Sequence, residues 1–316
     1  MTTPPPLLPA LAEQATAVAH TRASASPCPC GATVTLADRP DATVVQHAGT
    51  VAKAHAPDTD PAELAARLEA AARLPGILLP PLGTEPAGLH GRLVTFWPYG
   101  RPVDPADPGA APWEDAAVLL ARLHRSPVPG RPLPPMRGPV KAARAVARLR
   151  AAAPHPGTGP VLRAWAGLPA WTRGEAPLPE TAVLCHGDLH LGQLVRHPVP
   201  DGPWLLIDVD DLGLGVPAWD LARPAAWYAC GLLPPEDWTR FLAAYRSAAG
   251  PAVPPDGDPW PALDVPARTL TVQTAARAVT KAVAQERPLD EVEQALVDAC
   301  ARMASLPPEP SPGGAK

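Results

Sequence analysis

The sequence predicts an α+β chain in two lobes, a small antiparallel sheet with one helix followed by a larger, mainly helical part. Three observations carry this. Residues 33–36, 43–47 and 51–55 are short runs separated by Arg39-Pro40-Asp41 and Ala48-Gly49, the pattern of strands joined by tight turns. From Pro112 onward, apolar residues recur at helical spacing. Between those helical stretches, residues 183–223 break the pattern with a glycine-punctuated polar loop and a hairpin signal. A chain of 316 residues is long enough to fill two cores. The lobes are expected at 1–95 and 96–304. The Pro-Gly-rich residues 305–316 are expected to be a disordered tail.

Taken in order, residues 7–20 can form a short helix over the strands. Lys53 lies in the third strand, and an edge lysine pointing to water is the plain reading of it. A helix begins near Pro61, with Asp60 as N-cap and proline at the first helical position; it carries Glu63 and Glu69. Residues 93–99 read as a strand ending at Gly100. Residues 113–124 place Ala117, Leu120, Leu123 and His124 at helical spacing, with His124 read as structural. Helices are expected at 140–153 and 161–171, joined by the Pro-Gly linker 154–160. Further helices follow at 219–229, 236–249, 263–283 and 290–304. In the second of these, Trp238, Phe241, Leu242 and Tyr245 form one stripe, a core face.

Composition excludes several functions. Net charge is −4 with no block of like charges, so nothing points to nucleic acid or an anionic membrane. No apolar run approaches the eighteen residues a membrane helix needs, and the first residues lack a basic leader. A soluble, cytoplasmic protein is the expectation, and the oligomeric state is unknown from sequence. Proline is abundant at 48 residues, yet 46% of the chain is hydrophobic, which fits Pro-rich linkers in a folded protein. The five cysteines are odd in number, and Cys28-Pro29-Cys30 lacks a second pair at zinc-ribbon spacing, so reduced thiols are expected. Only four lysines are present, Lys53, Lys141, Lys281 and Lys316, arginine taking nearly every other basic position.

The chemistry concentrates in 183–223. A polar loop, 186–192, leads into a hairpin with arms at 193–199 and 204–210, and Pro200-Asp201-Gly202-Pro203 as its turn. Pairing across that turn sets Gln193 within a rung or two of Asp208 and Asp210, at the end remote from the turn. Asp188 sits in the loop entering that same end. Hard oxygen ligands of this kind suit Mg²⁺, whose shell substrate phosphates complete. A phosphoryl-transfer site follows.

These residues resemble two motifs of the aminoglycoside phosphotransferase and choline kinase superfamily, relatives of the protein kinases. The catalytic loop, H-G-D-x-H-x-x-N, is matched by His186-Gly187-Asp188-Leu189-His190-Leu191-Gly192-Gln193. The metal strand is matched by Ile207-Asp208-Val209-Asp210, then Gly215-Val216-Pro217-Ala218-Trp219-Asp220-Leu221-Ala222. Gln193 replaces the usual Asn and Val209 the usual aromatic. The resemblance implies a two-lobed protein-kinase-like fold and transfer of the ATP γ-phosphoryl group, assisted by Mg²⁺, to a hydroxyl of a small polar acceptor. Asp188 would be the base, with Asp208 and Gln193 as metal ligands. Lys53 would meet the nucleotide phosphates and pair with a helix glutamate, Glu69 in preference to Glu63. His186 would brace the loop, and Asp220 would receive loop backbone N–H groups, its plain alternative being a helix N-terminal carboxylate. Asp210 would assist the metal or a substrate hydroxyl, or lie solvated at the hairpin end. Residues 93–99 and Gly100 would supply the adenine hinge.

The segment His190-Leu191-Gly192-Gln193 is also similar to the maltokinase and glucosamine kinase branch, which directs the acceptor towards a sugar, amino sugar or aminoglycoside. Glu236, Asp237, Asp256 and Asp258 offer attraction for a cationic acceptor, or are simply solvated. Tryptophan faces could stack on rings, or belong to the core. Two rival functions remain open. His186-x-Asp188-x-His190, if extended, would put three ligands on one strand face for Zn²⁺ or Fe²⁺. A non-catalytic nucleotide-binding or interaction protein would explain Gln193, Val209 and the lack of a Gly-rich loop before Lys53.

Overall fold

The computed structural model describes residues 6–20, 30–128, 131–179 and 183–305. Cys28 and, apart from Ser305, the tail expected at 305–316 lie outside the described residues. Five strands, β1 (Val34–Arg39), β2 (Ala42–His47), β3 (Thr50–Ala54), β4 (Ala87–Leu89) and β5 (Arg92–Pro98), form an antiparallel sheet in the order β1-β2-β3-β5-β4. Period-two alternation divides its faces. Ala52 and Ala54 turn to helix α1 (Leu7–Ala19), where Leu11 and Ala15 pack on Val45, Ala52, Ala54 and Val94. Lys53, opposite Thr95 of β5, therefore projects from the other face. Helix α2 (Pro61–Arg73) starts where Asp60 accepts the Glu63 N–H at 2.9 Å, with Pro61 at the first position; both groups suit orphan donors at a helix start.

The helical lobe comprises α3 (Trp113–Arg125), α4 (Gly138–Ala151), α5 (Thr158–Ala166), α6 (Ala218–Ala229), α7 (Pro235–Ser247), α8 (Trp260–Ala284) and α9 (Glu291–Ala304). Two cores hold it. Leu120 and Leu123 of α3 pack with Leu221 of α6 and Phe241 and Tyr245 of α7 in one. Val146 and Leu149 of α4, Trp165 of α5, Val272 and Val279 of α8 and Leu296 of α9 fill the other. Helix α5 stops at Ala166, short of the expected residue 171, because Gly167 caps it and donates to the Arg163 and Ala164 carbonyls. Helix α9 opens on a capping box between Asp290 and Glu293. No helix among the described residues is long and apolar enough to cross a membrane.

Two small ladders embed the motif region. β6 (Arg101–Pro102), β8 (Leu194–Arg196) and β9 (Trp204–Leu206) lie in the order β6-β8-β9, and β7 (Val183–Cys185) pairs with β10 (Gly213–Gly215). The hairpin is thus three rungs long, Leu194 opposite Leu206 and Arg196 opposite Trp204, shorter than the arms expected. The chain leaving α2 locks onto it. Leu206 N donates to the Ile77 carbonyl and Leu79 N to the Leu206 carbonyl, each at 2.9 Å. The whole is a mixed α+β molecule with an antiparallel-sheet lobe and a helical lobe.

Candidate active site

The open end of the hairpin is where the side chains converge. Ile207 N donates to the Gln193 carbonyl at 2.9 Å, extending the ladder by one bond. At Asp208 the backbone then turns left-handed, with φ of +65°, and a short 3₁₀ turn follows over Val209–Asp211. Such a backbone is costly for a non-glycine residue and persists only where its surroundings hold it. Here the holder is Lys53, whose Nζ donates to Asp208 Oδ1 at 2.7 Å and lies 2.9 Å from Asp210 Oδ2. His55 Nδ1 stands 3.0 Å from Asp210 Oδ1. Burial pushes the Lys53 ammonium down, but Asp208 and Asp210 outweigh it and hold it above its ordinary value. Burial likewise pushes both carboxyls up, and Lys53 overrides it, so each stays below the usual range.

The preceding loop is fixed from below by Asp220 on α6. It is 0% exposed and accepts from His186 N at 2.6 Å, Gly187 N at 2.7 Å and His124 Nε2 at 3.0 Å. His124 Nδ1 in turn lies 2.7 Å from the Tyr245 hydroxyl. Gly187 has φ of +86°, and a Cβ there would collide with the Asp211 carbonyl, so only glycine lets the loop pass. His186 Nε2 donates to the Ile207 carbonyl at 2.8 Å, tying loop to hairpin.

Asp188 emerges from this loop with both oxygens engaged. Oδ2 accepts from Lys141 at 2.6 Å and Oδ1 from Arg223 at 2.6 Å. Arg223 also donates Nε to the Leu189 carbonyl, and Lys141 spans to Asp211 Oδ2 at 2.5 Å. Burial pushes the Asp188 carboxyl up, but Lys141 and Arg223 hold it well below the ordinary range. At Asp211 burial wins, assisted by nearby Asp188, and that carboxyl sits above its ordinary value despite Lys141.

Two clefts meet at this cluster. One, of about 280 Å³, is mostly apolar and lined by Val51, Leu79, Trp97, Tyr99, Gly100, Val195 and Ile207. Gly100 is required at its back, since a Cβ would overlap the Val195 side chain. The other, of about 290 Å³, is polar and contains Lys141, Asp188 and Asp211, together with arginines of α4 and α8. Lys53, Gln193, Asp208 and Asp210 line both.

Of the residues expected at the site, Lys53, Gln193, Asp208 and Asp210 come together, and Asp188 lies on the polar side of them. Glu69 does not join them. It pairs with Arg73 and, at 3.3 Å, with Arg131. The helix instead directs Arg67 inward, 2% exposed, with Nε donating to the Leu212 carbonyl at 2.9 Å. Glu69, two residues on, is therefore about 200° round the helix. Glu63 pairs with Arg67 at 3.1 Å, so neither glutamate meets Lys53. The extended metal face of His186, Asp188 and His190 does not form either. These residues sit in a loop, and His190 Nδ1 caps Gly192 N at 3.1 Å. Among the described residues the potential metal-ligand group is a different one, buried His124, Cys185 and Asp220, whose Asp220 and His124 are already bonded as above. Glu236, Asp237, Asp256 and Asp258 line neither cleft.

Lys141, Arg223, Asp211 and His55 escaped the sequence reading. Lys141 carried a faint signal as one of four lysines. On a helix also bearing Arg144, Arg148 and Arg150, however, it looks like part of a solvated face.

A model of the phosphotransferase enzyme family matches residues 36–263. A search of curated protein sequences finds no match. Among solved structures the chain is similar to a choline/ethanolamine kinase family protein from Mesorhizobium loti, at 16% identity, 92% of each chain covered and a TM-score of 0.54. It is similar to amicoumacin kinase hAmiN, in complex with AMP-PNP, Ca²⁺ and Ami, at 17% identity, coverage of 86% and 87%, and a TM-score of 0.60. Spectinomycin phosphotransferase APH(9)-Ia, in complex with ADP and spectinomycin, is similar at 13% identity, coverage of 87% and 92%, and a TM-score of 0.54. At these identities the likeness is one of fold.

Proposed function

The chain belongs to the phosphotransferase enzyme family, and on that premise we propose that it transfers the γ-phosphoryl group of ATP to a hydroxyl of a small acceptor of the sugar, amino sugar or aminoglycoside kind. The observation that carries this reading is the wall of Lys53, Gln193, Asp208 and Asp210 shared by the two clefts. A nucleotide with its base in the apolar cleft, against Trp97–Gly100, would bring its phosphates to that wall. The acceptor would lie beyond it, against Asp188. AMP-PNP and ADP in the similar structures support a nucleotide here.

Phosphoryl transfer asks a protein mainly to position groups and neutralise charge. Lys53 supplies a fixed positive charge where phosphate oxygens would sit. Asp188, kept ionised by Lys141 and Arg223, retains lone pairs beyond those two bonds, one of which can accept the acceptor hydroxyl. As the hydroxyl oxygen forms its bond to the γ-phosphorus, the bond from that phosphorus to the β-γ bridging oxygen breaks. ADP leaves, and the hydroxyl proton passes to Asp188 or to solvent. His186 and Asp220 act only by holding the loop.

The donor set fits Mg²⁺. Gln193 Nε2 donates to Asp208 Oδ2 at 3.3 Å, and rotation of that amide would set its oxygen beside the same carboxylate. Two hard oxygens side by side are what Mg²⁺ takes from a protein when phosphates complete its shell. Asp208 and Gln193 would hold the ion, which when bound neutralises phosphate charge. Coupled ADP release over a panel of sugars, amino sugars and aminoglycosides tests the reading. An active acceptor should lose about 10²–10⁴ in kcat with Asp188→Asn; equal rates for the variant and the parent would refute it and favour a nucleotide-binding scaffold.

A further inference from the structure

The polar cleft carries more positive charge than its own acids can satisfy. Asp208 and Asp210 are taken by Lys53, and Asp188 and Asp211 by Lys141 and Arg223. Asp41 faces Arg39 at 3.9 Å, and Asp58 faces Arg144 at 3.6 Å, all four more than half exposed. That accounts for every acid lining the cleft. Arg137, Arg148 and Arg277 also line it, and no ion pair joins any of them to an acid among the described residues.

The arrangement follows from helix geometry. Residues 137, 141, 144 and 148 recur at intervals of four, three and four, which places them on one face at and along α4. Gln273, buried, and Arg277 lie four apart on α8, which packs beside α4. The surplus is local, because the whole chain is acidic at −4. It also lies away from the nucleotide side, since none of Arg137, Arg148 and Arg277 lines the apolar cleft.

We infer that the acceptor carries an anionic group, a carboxylate or a phosphate ester, which the arginines of α4 and α8 receive while a hydroxyl of the same molecule meets Asp188. This rests on the kinase reading above and, among the acceptor kinds named there, favours a sugar bearing an acidic group over amino sugars and aminoglycosides. A rise of about 1.5 Å per residue separates Arg144 and Arg148 from Lys141 by about 4.5 and 10.5 Å along the axis. Since Lys141 touches Asp188, a sugar-sized molecule spans from the reacting hydroxyl to that end. Guanidinium groups suit both anions, offering paired N–H donors to two oxygens. A cationic aminoglycoside, by contrast, would face unpaired like charge.

Calorimetric titration of the full chain, with AMP-PNP and Mg²⁺ present, tests this with glucose, glucosamine, glucuronate and glucose 6-phosphate. At least one acidic probe should bind tenfold or more tightly than glucose and glucosamine, and comparing the two acids distinguishes carboxylate from phosphate. The R148E/R277E variant should lose at least tenfold in affinity for that probe, while glucose affinity changes less than about threefold. R148Q/R277Q, a milder change, should give an intermediate loss. Tighter binding of glucose or glucosamine, no binding by either acid, or a loss confined to AMP-PNP would overturn the inference. Those outcomes leave the kinase reading standing, whereas failure of AMP-PNP to bind the parent protein would remove that reading itself.

Discussion

Asp220→Asn is the perturbation whose cost the structure fixes most tightly. The change is isosteric, so no cavity opens and only hydrogen bonding and charge are altered. In the parent, a carboxylate with no solvent exposure accepts from His186 N, Gly187 N and His124 Nε2. An amide has one oxygen, and its NH₂ must face one of those donors, which strands at least one buried N–H. Stranding a buried donor costs about 1–3 kcal/mol, and each remaining bond drops from a charged to a neutral acceptor, where charged bonds contribute about 1.5–3 kcal/mol. A total of about 3–5 kcal/mol follows from one stranded donor and two weakened bonds. Urea denaturation followed by the fluorescence of Trp219 and Trp238, both buried in the helical lobe, measures it. Because the same carboxylate holds the backbone of His186 and Gly187, phosphoryl transfer should fall as well. A stability loss under about 1 kcal/mol would refute the claim that Asp220 is the anchor of the loop.

Gly187→Ala forces a side chain onto a backbone at φ +86° and against the Asp211 carbonyl; a loss of about 2–4 kcal/mol is expected by the same denaturation assay. Asp290→Ala removes the N-cap of α9, whose side chain accepts from Glu293 N at 2.8 Å, and should cost about 1 kcal/mol in a thermal or urea melt. The Arg287 guanidinium bonds both oxygens of Glu293 and, against slight burial, holds its carboxyl down at about 2. A depressed carboxyl stabilises the fold above its unfolded value of 4.5, and that contribution disappears as pH falls from there through about 2. An NMR titration should find the Glu293 midpoint near 2, and Arg287→Ala should return it towards 4.5.

Elements with a chemical reason to start or stop were legible in the sequence. Asp60-Pro61 announces α2 and Asp201-Gly202 announces the hairpin turn, while the capping box of Asp290 and Glu293 that opens α9 emerges with the structure. Strands of two or three residues, β4, β6, β7 and β10, give no periodicity to read and exist because tertiary neighbours offer partners. The apolar spacing runs on past helix α5 to residue 171, but Gly167 ends the helix, its N–H closing on the Arg163 and Ala164 carbonyls. At the site, the expected groups closest in sequence to the hairpin end, Gln193, Asp208 and Asp210, follow from turn and register. Lys141 and Arg223 arrive from α4 and α6, and only the fold determines that they meet at Asp188. Glu69 failed as a partner of Lys53 because the rotation of a helix about its axis is set by packing, here by buried Arg67 reaching Leu212.

The wall of Lys53, Gln193, Asp208 and Asp210 belongs at once to both clefts, so a donor and an acceptor can be resident together, one on either flank. Its charged groups are already committed to one another, and none is a loose nucleophile waiting to carry a phosphate between visits. The chemistry such a partition favours is direct handover within a ternary complex, and initial-rate plots against the two substrates should intersect instead of running parallel.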